Sequence, residues 1–204
     1  MSFQPSERTS EAPVREQELR DPRAMRALAH PLRLTLLHFV MREGTLTATR
    51  ASQLTGEVPA SCSFHLRQLA KYGFIEPAGG GRGRERPWRA VEASRRWATL
   101  HPDPEATAAA DELGAVLLER DLAELDGYLR ERRSYAPEWQ EAALMSEGLL
   151  YLTLEELTQL NDEVIALKNR YSHRTADPAR RPRDARAVRA LTFTFPLPPT
   201  PSGN

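Results

Sequence analysis

The chain has 204 residues and a formal net charge of zero, enough length for one large domain or two small ones. That zero conceals a division: residues 21–100 hold 13 Arg/Lys against 6 Asp/Glu, whereas residues 101–204 hold 12 against 18. A basic half joined to an acidic half suits a nucleic-acid-binding module with a second module attached, and argues against a uniformly neutral enzyme.

In chain order, residues 1–20 are polar and Pro-punctuated and are expected to form a disordered arm. Asp21-Pro22 pairs a capping side chain with a proline at the first helical position, so a helix should run from there to about Ala29. His30-Pro31 breaks it and opens a second helix, Pro31 to Arg42, with Leu34, Leu37, Val40 and Met41 on one face. Gly44 ends that helix, and Thr47 caps a third that Gly56 terminates. Pro59 opens a fourth, closed by Gly73. Phe74 to Pro77 and Arg86 to Val91 read as two strands of a hairpin whose turn is Gly79-Gly80-Gly81-Arg82-Gly83. Helices in this order, followed by a basic hairpin, form a winged helix-turn-helix layout over residues 21–100.

The fourth helix has two faces. Cys62, Leu66 and Leu69 fall within about 60° of one another and should face the core. Ala60, Phe64, Arg67 and Lys71 point away from them, Ser63 and Gln68 flank that outward set, and Ser61 and His65 edge the buried stripe. In a major groove, Arg67 would bind guanine or clamp a phosphate, Ser63 and Gln68 would bond base edges, and Phe64 would cover a thymine methyl. On an ordinary solvated face, Phe64 would instead pack on the wing or a neighbouring subunit. Arg82, Arg84 and Arg86 share parity, so in an extended return strand they project together toward a minor groove or flanking phosphates.

Pro102-Asp103-Pro104 marks a boundary. Beyond it, Ala110, Leu113, Leu117, Leu118, Leu122, Leu125 and Leu129 recur at close to 3.6 residues from Glu105 to about Arg133. Such a helix spans roughly 40–45 Å, which makes the stripe from Leu113 to Leu129 a candidate dimerisation surface. Leu149 to Leu152 reads as a short strand. Thr153 and Glu156 form a capping box for a helix carrying Leu157, Leu160, Val164, Leu167 and Tyr171 inward. Leu191, Phe193 and Phe195 alternate with Thr192 and Thr194, as in a half-buried strand. Those segments, layered over the long helix, would leave Trp139, Tyr151 and Tyr171 as a candidate effector pocket or simply as core. The tail from residue 197 to 204 is expected to be disordered. The fold class is therefore mainly α with a small β wing: a winged helix-turn-helix domain, a long dimerisation helix and a small α/β region, with residues 101–196 devoted to dimerisation or effector binding.

The run AHPLRLTLLHFV, then a short helix, then SCSFHLRQLAKYGFIE and a Gly/Arg wing resembles the ArsR/SmtB group of bacterial winged-helix repressors over residues 22–91 or so. The resemblance implies a homodimer on a two-fold-related double-stranded DNA operator, repression, and its relief by a bound effector. Two departures limit it. Metal-sensing members carry a Cys-x-Cys pair in the third helix or Asp/His/Glu sets in the terminal one. Here the third helix reads TATRASQLTG, and Glu105–Arg133 contains no histidine. About a hundred further residues also follow the winged helix, where the group typically has one helix.

Other chemistry finds no support in the sequence. The five histidines are scattered and the sole cysteine, Cys62, lies in the predicted core stripe, so neither a metal centre nor a cofactor is expected. Phosphate-loop, nucleophile-elbow and zinc-hydrolase motifs are missing, and no enzyme is expected. The first 20 residues lack the apolar run of a secretion signal, and no stretch reaches membrane-spanning length, which makes the cytoplasm the expected compartment. Of 28 basic residues only Lys71 and Lys168 are lysine, a skew associated with GC-rich bacterial genomes. The expected function is that of a DNA-binding transcriptional regulator, the alternative being a protein–protein adaptor on the same scaffold.

Overall fold

The structure, a computed structural model, describes residues 16–81, 85–91, 94–96 and 101–198. In chain order it has β1 (Glu16–Glu18), α1 (Pro22–Leu28), α2 (Pro31–Glu43), β2 (Thr45–Leu46), α3 (Ala48–Thr55) and α4 (Pro59–Lys71). There follow β3 (Ile75–Pro77), β4 (Trp88–Ala90), β5 (Ser94–Arg96), α5 (Pro104–Glu131), α6 (Pro137–Ala142), α7 (Leu154–Asn169) and α8 (His173–Ala176). The molecule is mainly helical with a small β wing.

Local signals set the first four helices. The Asp21 carboxylate accepts from the Arg23 amide at 2.9 Å and Thr47 Oγ1 accepts from the Arg50 amide at 3.1 Å, each satisfying a first-turn N–H. Gly44 and Gly56 close α2 and α3 with φ of +80° and +77°, conformations that side-chain-bearing residues rarely adopt. One core binds these helices to the wing: Met25, Leu36, Val40, Cys62, Leu66 and Leu69 are fully buried, and Phe74, Ile75 and Leu46 nearly so.

The sheet order is β2-β4-β3, all antiparallel, with Ile75 opposite Ala90 and Leu46 opposite Trp88. The hairpin was expected; β2 was not. A second pairing was also missed. Glu16–Glu18 runs parallel to Ser94–Arg96, and Leu19 is buried, so the last residues of the expected arm belong to the fold. Residues 1–15 and 199–204, for which disorder was expected, lie outside the described residues.

The long helix is as predicted in extent but divided in its packing. Ala106, Ala109, Ala110 and Leu113 are buried, Val116 and Leu117 pack on the same core, and Arg26 of α1 reaches Glu105 at 2.7 Å. Leu113 is thus a core residue of its own chain, a correction to its place in the dimerisation stripe: the helix leans on α1 for its first half. Leu118 and Leu122 are 43% and 51% exposed, and Leu125 and Leu129 are half-buried.

Residues 134–198 depart furthest from expectation. The capping box forms as read, with Glu156 N–H donating to Thr153 Oγ1 at 3.2 Å and Thr153 N–H to Glu156 Oε2 at 2.7 Å. Neither Leu149–Leu152 nor Leu191–Phe195 is a strand, and no residue of α7 is fully buried, with Leu167 and Tyr171 exposed. One link from this region to α2 is a guanidinium. Arg181 donates to the Met41 and Arg42 carbonyls at the end of α2, both at 2.7 Å, and to the Arg174 carbonyl at 2.7 Å. A cation on the orphan carbonyls of a helix C-terminus satisfies them and complements the helix dipole.

Candidate nucleic-acid interface

Thr55, Gly56 and Glu57 make the turn between α3 and α4. The Thr55 hydroxyl donates to the Ala51 carbonyl at 2.8 Å, accepts from the Glu57 amide at 3.2 Å, and sits 3.7 Å from Cys62 Sγ. One side chain therefore joins the end of α3 to the buried stripe of α4. That stripe is as predicted: Cys62, Leu66 and Leu69 have no exposed surface.

Burying this stripe leaves Ala60, Phe64, Arg67 and Lys71 exposed on the other side, with Ser61, Ser63, His65 and Gln68 half-buried. Phe64 is 50% exposed and meets His65 edge-on, ring centroids 5.2 Å apart, so its ring is open to an outside contact. Arg67 Nη1 donates to Ser63 Oγ at 2.8 Å, placing a cation and a hydroxyl one helical turn apart as a single polar unit. The ammonium of Lys71 lies 5.4 Å from the centre of the Tyr72 ring.

On the wing, Arg86 is exposed, while Arg82 and Arg84 lie outside the described residues. Arg89, opposite Glu76 in the register, is held by its carboxylate at 2.7 Å and is a cross-strand ion pair. On α3, Arg50 is similarly engaged with Glu43 at 3.3 Å.

Beside this face of α4 lies a polar cluster that the sequence did not disclose. His30, which precedes α2, packs against His65 of α4 with ring centroids 4.6 Å apart. The buried Nδ1 atoms of both rings and Nε of Arg33 have no hydrogen-bond partner. Burial and then the neighbouring Arg33 cation depress the pKa of His30; burial, then His30, then Arg33 depress that of His65, with Glu57 opposing in part. Both rings are therefore neutral at pH 7, as three adjacent cations between α2 and the outward helix would repel one another. A folded pKa below the ordinary value means that the unfolded chain takes up the proton first. Stability should hold above about pH 7 and decline as pH falls through the ordinary histidine range near 6.5. Urea unfolding at pH 7.5 and 5.5 checks this: His65→Gln should reduce the loss, and an unchanged pH dependence would refute it. His38, depressed by burial and then by Arg189, should supply a residual dependence of the same sign.

The aromatic trio expected to line an effector pocket is not gathered. Trp139 lies beneath the Arg186 guanidinium at 5.1 Å, Tyr171 lies near Arg174 at 5.3 Å, and Tyr151 is 93% exposed. Among the described residues, no helix is long and apolar enough to cross a membrane.

Residues 28–78 match the family model described as helix-turn-helix domain. No curated protein matches the chain. The matched span runs from the end of α1 through α4 and β3, the elements that carry the outward face described above. The chain therefore carries a winged helix-turn-helix domain, and that domain points to DNA-binding regulation.

Proposed function

We propose that the chain is a sequence-specific, DNA-binding transcriptional regulator and not an enzyme, acting as a homodimeric repressor of ArsR-like type whose acidic half governs assembly and the response to an effector. The observation that carries this reading is the division of α4. Three residues with no exposed surface hold one side, while Arg67, Lys71, Phe64 and the Ser63 hydroxyl are left on the other. A helix of 13 residues docked this way can lie in a major groove, with the wing that follows it on the flanking backbone. The α4 N-terminus begins at Pro59 with no side-chain cap, which leaves its first-turn amides for a phosphate. The long α5, with Leu118 and Leu122 exposed, supports a paired subunit and half-sites about one helical turn apart.

Capture of genomic fragments on the purified chain, followed by footprinting, would define an operator. On it, Arg67→Ala should weaken binding by about 1–3 kcal/mol, or roughly 5- to 150-fold, and alter preference among operator variants. Lys71→Ala and Arg86→Ala should instead weaken every sequence alike and lower the dependence of log K on log salt by about one each. An operator footprint that neither class of change disturbs would refute the interface. The adaptor alternative predicts early elution from heparin and from random duplex at low salt. The effector reading predicts thermal stabilisation by an apolar small molecule together with loss of operator binding.

A further inference from the structure

We propose that two segments without secondary structure of their own, residues 144–152 and 188–197, form the surface on which a second copy of this chain docks, Leu149–Leu152 of one copy lying as a strand beside Leu191–Phe195 of the other. The inference rests on the homodimer reading and says where the two copies meet beyond the long helix.

Both segments have the composition of strands and neither is paired. Leu149-Leu150-Tyr151-Leu152 is a continuous apolar run between Gly148 and the cap Thr153, as in a strand covered on both faces. In the second segment Leu191, Phe193 and Phe195 alternate with Thr192 and Thr194, as in a strand covered on one. Among the described residues, no backbone hydrogen bond is made by 144–152 or 188–198. Two complementary edges of this kind are templates for pairing.

Their apolar side chains are also largely in solvent. Leu144 is 84% exposed, Leu150 62%, Tyr151 93%, Phe193 57% and Phe195 70%. With their apolar neighbours the two segments together leave on the order of 1,000 Å² of apolar side chain in water. A stable dimer covers about 800 Å² per partner. The apolar area that the two segments expose together is therefore what a second protomer covers, and more than a small ligand would.

The terminal segment is held in place to receive a partner. Arg189 binds Glu124 of α5 through both Nε and Nη2, at 2.7 and 2.9 Å, and Thr194 Oγ1 donates to Asn161 of α7 at 2.6 Å. It is thus fastened to α5 at one end and to α7 at the other. A two-fold axis supplies the pairing twice, because each copy contributes one segment of each kind.

The test is sedimentation of the full chain over a concentration series, with hydrogen exchange on the same samples. The expected result is a dimer at micromolar concentration, with amides of 149–152 and 191–195 protected in the dimer and unprotected on dilution to monomer. Phe193→Asp, and separately Thr192→Pro, which removes a strand donor, should weaken the dimer roughly tenfold or more. A chain that stays monomeric overturns the proposal. So does a dimer whose two segments exchange as fast as free chain, or one that neither substitution weakens; in that last case Leu122→Glu would show whether α5 alone holds it. Protection of these amides in a monomer, appearing only with an added apolar compound, would assign the surface to a ligand instead. A protected dimer with no affinity for duplex DNA would defeat the regulator reading and leave this one standing.

Discussion

Leu66→Ala should destabilise the chain by about 3 kcal/mol, within the usual range of about 2–5 for a buried leucine, and remove operator binding with it. Leu66 has no exposed surface and lies in the middle of the stripe that fastens α4 to the core, between Cys62 and Leu69. The substitution deletes its packing and leaves a cavity beneath the helix that would enter the groove. Against a typical total of about 5–15 kcal/mol, a loss of that size is a large share of the whole. The residue beside it makes the comparison sharp. Arg67 is exposed and bonds the half-buried Ser63, so Arg67→Ala should change stability by no more than about 0.5 kcal/mol while weakening DNA binding. Leu66→Met, similar in volume, should lose less than about 1.5 kcal/mol and keep binding. Urea unfolding and operator titration on the three variants decide the matter. If Leu66→Ala bound DNA normally at unchanged stability, α4 would not be held as described.

The parts of this molecule that could be read from the sequence are those set by devices a few residues long. Asp21-Pro22, Thr47, Gly56 and Pro59 each act on the backbone within one turn, and the helices they bound lie where those signals put them. The outward face of α4 follows from 100° per residue once Cys62, Leu66 and Leu69 are assigned inward. What could not be read depends on contacts distant in sequence. The parallel pairing of Glu16–Glu18 with Ser94–Arg96 has no local signature, and β2 is two residues long. His65 was visible at the edge of the stripe, but nothing marked His30 as the ring against it. Leu113 has the same periodicity as Leu122, and only the approach of α1 separates a core residue from a surface one. In Leu191–Phe195 the alternation is that of a strand, yet a strand needs a neighbour, and among the described residues none is hydrogen-bonded to its backbone.

Gly44→Ala should be the most damaging change outside the core, at about 1–3 kcal/mol from backbone strain alone. Gly44 ends α2 with φ of +80° and ψ of −44°, is buried, and hands the chain directly to β2. A side chain there is strained by the backbone, and its Cβ would also overlap the Pro178 ring. The two penalties can be separated. Pro178→Ala removes the ring atoms that Cβ would strike, so in the double variant the steric part should be recovered and the backbone part should remain; a double-mutant cycle measures the difference. The structural consequence should appear at the far end of the same contact. Pro178 is followed within three residues by Arg181, whose guanidinium holds the Met41 and Arg42 carbonyls at the end of α2. Displacing the proline should loosen that grip, exposing residues 173–181 to faster hydrogen exchange while the amides of α4 stay protected. Gly44→Ala with wild-type stability and unchanged exchange across 173–181 would mean that the C-terminal region is not seated on α2. The coupling between the two halves of the chain would then have to run through α5 and the contact of Arg189 with His38.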